Sequence, residues 1–170
     1  MISELKSVLK NDRIKWTEPA NFHITLAFLG ETEEEMIEKV AKMLSRVCPG
    51  SGEFELRIRG AGIFKSINDP RILWAGIETS EELDALFETV MNGLKEAGIT
   101  LEERKFNPHL TLGRIKSIKD NGNLKSLIAS YQNVEIQKQE ISEVILYESV
   151  LRPSGPVYNP LWKFALAPHS

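Results

Sequence analysis

The spacing of hydrophobic residues changes period several times along the chain. Ile2, Leu5, Val8 and Leu9 recur at helical spacing, so residues 3–11 read as an amphipathic helix. The stretch RIKW that follows is a short strand candidate. NFHITLAFLG, residues 21–30, then alternates: Phe22, Ile24, Leu26 and Phe28 fall on one side, and Asn21, His23, Thr25 and Ala27 on the other. A period of two predicts a strand with one apolar face. Thr32 and Glu35 have capping-box spacing, and Met36, Ile37, Val40, Met43, Leu44 and Val47 give the buried stripe of a helix that Pro49-Gly50 stops. FELRIRG alternates as a strand, and RILWAGIE, residues 71–78, is apolar enough to be a central one, which makes Trp74 a core residue. Ser80 caps a helix running to Ala97, with Gly98 as its C′ residue. NPHLTLGRIK alternates again, with Pro108, Leu110 and Leu112 facing one way and Asn107, His109, Thr111 and Gly113 the other. A short helix near residues 124–131 and the strands VEIQKQE, SEVILYESVL and YNPLWKFAL complete the chain.

The order of these elements repeats. The second half runs strand, helix, His-bearing strand, helix, strand; the first half runs helix, His-bearing strand, helix, strand. The expectation is a duplicated α+β architecture, residues 1–170 forming one domain of two lobes that each supply one His-x-Thr segment. The first half has no counterpart of the leading strand, so an N-terminal strand is expected to be missing, with a short or exposed sheet edge in the first lobe.

Composition narrows the possibilities. The chain has 170 residues, long enough to bury roughly 70% of its unfolded surface. With 42% hydrophobic and 26% charged residues it fits the globular class. The net charge of −3 argues against a surface that grips long nucleic acid, so any such contact is expected to be short and local. Cys48 is the single cysteine, which excludes a disulfide framework and suits a reducing compartment. The start, MISELKSVLK, lacks the apolar stretch of a signal peptide, and no apolar run is long enough to span a bilayer. A cytoplasmic protein without membrane association is expected.

The chemistry lies in the two matched segments. Residues i and i+2 of a strand share a face, so His23 points with Thr25 and His109 with Thr111. Either pair alone is more simply a solvated strand face; two matched copies in a chain with only three histidines point to a site. Two imidazoles suit phosphodiester chemistry. An imidazole's ordinary pKa of roughly 6.5 lets one ring accept a proton from water while another donates to a leaving oxygen. The threonine hydroxyls can donate to phosphate oxygens. No cysteine or second histidine stands at zinc-ligand spacing, and His169 is penultimate, so neither a metal nor any other cofactor is expected. No nucleophile elbow is present.

The paired motifs resemble those of the two-histidine (2H) phosphoesterases, specifically the RNA 2′,3′-cyclic phosphodiesterases historically called 2′-5′ RNA ligases. The resemblance rests on NFHITLAFLGE, PRILWAGIE, NPHLTLGRIK and LYESVLRPSGPVYNPL and covers almost the whole chain. It implies a bilobal fold with two antiparallel sheets around a central groove, and metal-independent hydrolysis of a 2′,3′-cyclic phosphate to a 2′-phosphomonoester. It makes His23 the proton donor, His109 the proton acceptor, and Thr25 and Thr111 phosphate contacts. Arg114 matches the family's continuation Gly-Arg as a further phosphate contact, but strict alternation puts it on the face opposite His109, so this role requires a bulge or the strand's end. RNA 3′ ends or small cyclic nucleotides are the expected substrates, for a monomer. Family members usually begin with a strand that this chain lacks. The alternatives are a nucleotide-binding module of the same fold and minor reverse 2′-5′ ligation. Phe64 could stack on a base, with core packing as its default, and Lys15, Lys65, Lys116 and Arg152 could form a basic rim.

Overall fold

The computed structural model describes residues 1–101, 105–153 and 155–168. The elements are α1 (Ile2–Val8), β1 (Arg13–Trp16), α2 (Glu34–Val47), β2 (Phe54–Ser66), β3 (Asp69–Ile77), α3 (Glu81–Glu96), β4 (His109–Ser117), α4 (Asn121–Tyr131), β5 (Glu135–Ile141), β6 (Glu143–Arg152) and β7 (Gly155–Ala165). The α+β class holds. One sheet has five strands in the order β1-β4-β3-β2-β5, and β6 and β7 form a second. Pairing is antiparallel between β1 and β4, β4 and β3, β3 and β2, and β6 and β7.

Two compact units interleave along the chain. The first comprises Met1–Thr25, Arg57–Glu78 and Asn107–Gln139; the second comprises Leu26–Leu56, Thr79–Phe106 and Glu140–Ser170. They are not the two sequence halves, and both His-x-Thr segments belong to the first. The reason is the pairing of β1 with β4, which joins segments from opposite halves in one sheet.

In the first unit, β3 buries Leu73, Ala75 and Ile77, while Ile72, Trp74 and Gly76 lie half-buried on its other face. β4 adds Leu112 and Ile115 to the core, and Leu5, Leu9, Leu124 and Leu127 come from the helical segments. Each such side chain contributes about 1.5–3 kcal/mol of burial. The Tyr131 hydroxyl donates to the Glu4 carboxylate and ties α4 to α1. In the second unit, α2 buries Val40, Met43 and Leu44, and α3 buries Leu83, Leu86, Val90 and Leu94. The Ser80 hydroxyl accepts from the Leu83 N–H at 3.2 Å, and Gly98 takes φ +88°, as the sequence predicts for the two ends of α3. Cys48 is fully buried, and burial pushes its thiol up to about 11, so it stays protonated and unreactive near neutral pH.

Three expectations fail locally. Residues 22–30 alternate in sequence, yet no ladder among the described residues includes them, because a strand needs a partner for its N–H and C=O groups. Phe28, placed on their apolar face, is 76% exposed. Thr32 does not cap α2: its hydroxyl donates to the Gly30 carbonyl, and the N-cap is Glu33. Trp74 is not on the core face. Its indole lies over Gly62, the residue opposite it on β2, where an added Cβ would stand 2.2 Å from the ring. His169 lies outside the described residues. No helix among them is long and apolar enough to cross a membrane.

A methyl group at Gly62 therefore has to displace a packed indole. Gly62→Ala is expected to cost about 1–3 kcal/mol in urea unfolding, with a changed tryptophan emission; an unchanged midpoint and spectrum would contradict the packing.

Candidate active site

β4 carries His109 at its first residue. Its register against β3 sets what shares a face with that histidine: His109 lies opposite Gly76, Leu110 opposite Ala75, and Thr111 opposite Trp74. The register then shifts. Gly113 lies opposite Leu73 and Arg114 opposite Ile72, so Leu112 is the extra residue of a β-bulge. β3 alternates without interruption, and Ile72, Trp74 and Gly76 share one face. Directly paired residues share a face too. His109, Thr111 and Arg114 therefore all project from the face opposite the core. The burial pattern agrees: Leu112 and Gly113 are consecutive and both buried, and Arg114 is exposed. The bulge that Arg114 needed to join His109 is present, and Gly113 is moved to the core face, against the alternation read from sequence.

His23 arrives from the neighbouring strand. β1 runs antiparallel to β4 with Trp16 opposite Gly113, and the Thr17 N–H continues the pairing by donating to the Leu112 carbonyl at 2.9 Å. The chain thus leaves β1 toward the end of the sheet where β4 starts with His109. A short 3-10 turn, Pro19–Asn21, follows, with the Phe22 N–H donating to the Pro19 carbonyl at 3.1 Å. His23 and Thr25 come directly after it, His23 half-buried and Thr25 exposed.

The two histidines are held alike. His23 Nδ1 lies 2.8 Å from the Asn21 carbonyl oxygen, and His109 Nδ1 lies 2.8 Å from the Asn107 carbonyl oxygen. A carbonyl only accepts, so each Nδ1 carries the hydrogen. In each neutral ring Nε2 is then the nitrogen that carries the lone pair. Sequence shows the shared Asn-x-His spelling but not this role, and because the acceptor is backbone, the bond does not require asparagine. His109 is held further by Phe64, whose ring meets the imidazole edge-on at a centroid distance of 4.7 Å and an angle of 84°. Phe64 also lies 5.5 Å from the Trp74 ring. It is neither a core residue nor clear of the candidate site: it packs on His109. Trp74 Nε1 is buried and has no acceptor among the described residues, a cost of about 1–3 kcal/mol accepted beside the histidine.

Of the proposed basic rim, Lys65 is engaged with Asp69 across the β2–β3 turn. Lys15 lies opposite Arg114 in the β1–β4 ladder, so it shares the face of His109.

The sequence profile of the LigT like Phosphoesterase family matches residues 1–74 and 77–158. The chain belongs to this family. It is 34% identical to the RNA 2′,3′-cyclic phosphodiesterase of Methanothermobacter thermautotrophicus over 167 residues, 97% of this chain and 90% of that one. It is 34% identical to the enzyme of the same name from Thermotoga maritima over 148 residues, 87% of this chain and 77% of that one. Among solved structures, a protein of Thermus thermophilus superposes with a TM-score of 0.80 at 29% identity, covering 99% of this chain and 91% of that one. E. coli LigT complexed with 3′-AMP shares the fold, with a TM-score of 0.69 at 23% identity, over 97% and 88% of the two chains.

The matched tethers make a spectroscopic prediction. Long-range 1H–15N correlation spectra at alkaline pH are expected to show both His23 and His109 as the Nδ1–H tautomer; an Nε2–H pattern at either would contradict the geometry.

Proposed function

We propose that this chain hydrolyses RNA 2′,3′-cyclic phosphate ends to 2′-phosphomonoesters without a metal, with His23 and His109 as the acid and base. The observation that carries the reading is the identical Nδ1–H tether of two histidines in one unit of a LigT-like phosphoesterase. The curated relatives named RNA 2′,3′-cyclic phosphodiesterase support the substrate class.

Water attacks phosphorus and gives a proton to His109 Nε2. The bond from phosphorus to the 3′ oxygen breaks, and His23 Nε2 delivers a proton to that oxygen, leaving a 3′ hydroxyl and a 2′ phosphate. Thr25 and Thr111 donate to the non-bridging oxygens, where charge grows, and Arg114, on the same face as Thr111, is a further contact for substrate phosphate. Water far exceeds RNA ends in concentration, so hydrolysis runs over the reverse ligation. The single buried cysteine suits a reducing, cytoplasmic compartment, and the proposed chemistry needs one copy of the chain.

A second reading is nucleotide binding without turnover. It is favoured by one observation: residues 22–30, which carry His23, make no strand ladder among the described residues. Sites on loops are held less precisely than sites on strands.

The deciding experiment is incubation with an RNA ending in a 2′,3′-cyclic phosphate, in EDTA, with products resolved as 2′- or 3′-phosphates. Wild-type protein is expected to yield the 2′-phosphate, with a bell-shaped pH–rate profile. His23→Ala and His109→Ala are each expected to lose about 10²–10⁴-fold in kcat. Full activity in either variant would end the mechanism, and nucleotide binding with no product from the wild type would favour the second reading.

A further inference from the structure

Lys15 and Arg114 stand directly opposite each other on adjacent antiparallel strands, both exposed and both on the face of His109. Directly opposed like charges destabilise a sheet. Among the described residues no carboxylate is bridged to either side chain, whereas Lys65, on the neighbouring turn, has Asp69. Two unneutralised cations with Cβ atoms about 4.5–5.5 Å apart form a site for an anion.

The backbone of this pair stands away from that of His109 along the sheet. His109 lies opposite Gly76 and Arg114 opposite Ile72, so four residues of β3, about 13 Å of strand, separate their backbone positions. Lys15 lies one strand further out, on the side of Arg114 away from β3. The opposite side of the same face is aromatic, with Phe64 and Trp74 close to each other and Phe64 against His109. The face therefore runs from an aromatic flank at the histidine to a cationic flank at the β1–β4 pair.

We infer that Lys15, paired with Arg114, is a specificity-determining residue that binds the phosphate of the nucleotide preceding the cyclic end, so that the protein favours oligonucleotide ends over cyclic mononucleotides. This rests on the phosphodiesterase reading. A mononucleotide has no second phosphate and cannot use Lys15; a chain of two or more nucleotides can. The exposed cation contributes modestly, and its contribution is screened by salt.

The test compares wild type with Lys15→Gln and Lys15→Glu on a trinucleotide ending in a 2′,3′-cyclic phosphate and on 2′,3′-cyclic AMP. The ratio of kcat/KM for the trinucleotide to that for the mononucleotide is expected to fall about 5-fold in Lys15→Gln, the effect of one exposed ion pair. The slope of log KM against log salt for the trinucleotide is expected to flatten by about 0.7, one phosphate contact on a single strand. Melting temperatures of both variants are expected to equal or exceed that of wild type, since each relieves the cross-strand repulsion. An unchanged ratio, an equal loss on both substrates, or a clear drop in melting temperature would overturn the inference. If wild-type protein turns over neither substrate, it is the phosphodiesterase reading that fails. Binding of a fluorescein-labelled trinucleotide 3′-phosphate then decides the Lys15 contact: weaker binding in Lys15→Gln with a flatter salt slope supports it, and equal binding overturns it.

Discussion

The register between β3 and β4 is the constraint on which the candidate site depends. A strand that kept strict alternation would present His109 and Thr111 on one face and Arg114 on the other, beneath the sheet with Leu112 and Leu73. The extra residue at Leu112 changes that. It lets Leu112 and Gly113 both turn to the core and returns Arg114 to the face of the histidine. The same shift sets Lys15, because β1 is registered on β4 beyond the bulge. One inserted residue thus decides the charge of a whole flank. The bulge is tolerated because the second consecutive core position is a glycine, packed so closely against Ile14 that an added Cβ would stand 2.8 Å from its side chain.

The face above the core breaks several rules that the rest of the chain obeys. Its tryptophan has a buried N–H without an acceptor among the described residues, it sets two cations side by side, and two of its positions, Gly62 and Gly76, have no room for a side chain. At Gly76 the obstacle is backbone, with the Arg59 carbonyl oxygen 2.5 Å from where a Cβ would be. Each departure has an identifiable local cost and none adds to core burial. Natural proteins concentrate such conflicts at functional sites and offset them elsewhere. Here the offset comes from the opposite face, where Leu73, Ala75, Leu112 and Ile115 are buried.

Much of the architecture was legible from local pattern because local pattern causes it. β1, β4 and α3 follow from short-range alternation, from Ser80 at the N-cap and from Gly98 at positive φ. What sequence hides depends on a neighbour. Alternation in residues 22–30 reads as a strand, but strandedness requires a partner's hydrogen bonds. Trp74 reads as core because it is large and sits in a central strand; its face is settled by β2, where Gly62 leaves the space its ring fills. The bulge at Leu112 is a mismatch between two strands, so neither strand's sequence displays it alone. The candidate site residues themselves were visible as a repeated spelling. The contacts that orient them, the Asn carbonyls and Phe64, were not, because a backbone acceptor leaves no residue signature and an aromatic contact crosses from β2 to β4.

The two halves of the proposed catalytic pair are fixed by different means, and this accounts for the repeated tether. His109 has a ladder beneath it, with Gly76 opposite and Phe64 against its ring. His23 has no ladder, and its position follows from the 3-10 turn that ends at Asn21. A bond from Nδ1 to the carbonyl two residues back needs no neighbouring strand, so it can orient a ring equally well in either backbone setting. It also fixes the tautomer, which is what an acid–base pair must have in common. In the proposed cycle one ring gives up the proton that the other takes, so both need the same nitrogen turned to the substrate. A tether carried in the local sequence thus holds one strand residue and one loop residue in the same tautomer, as the proposed acid–base pair requires.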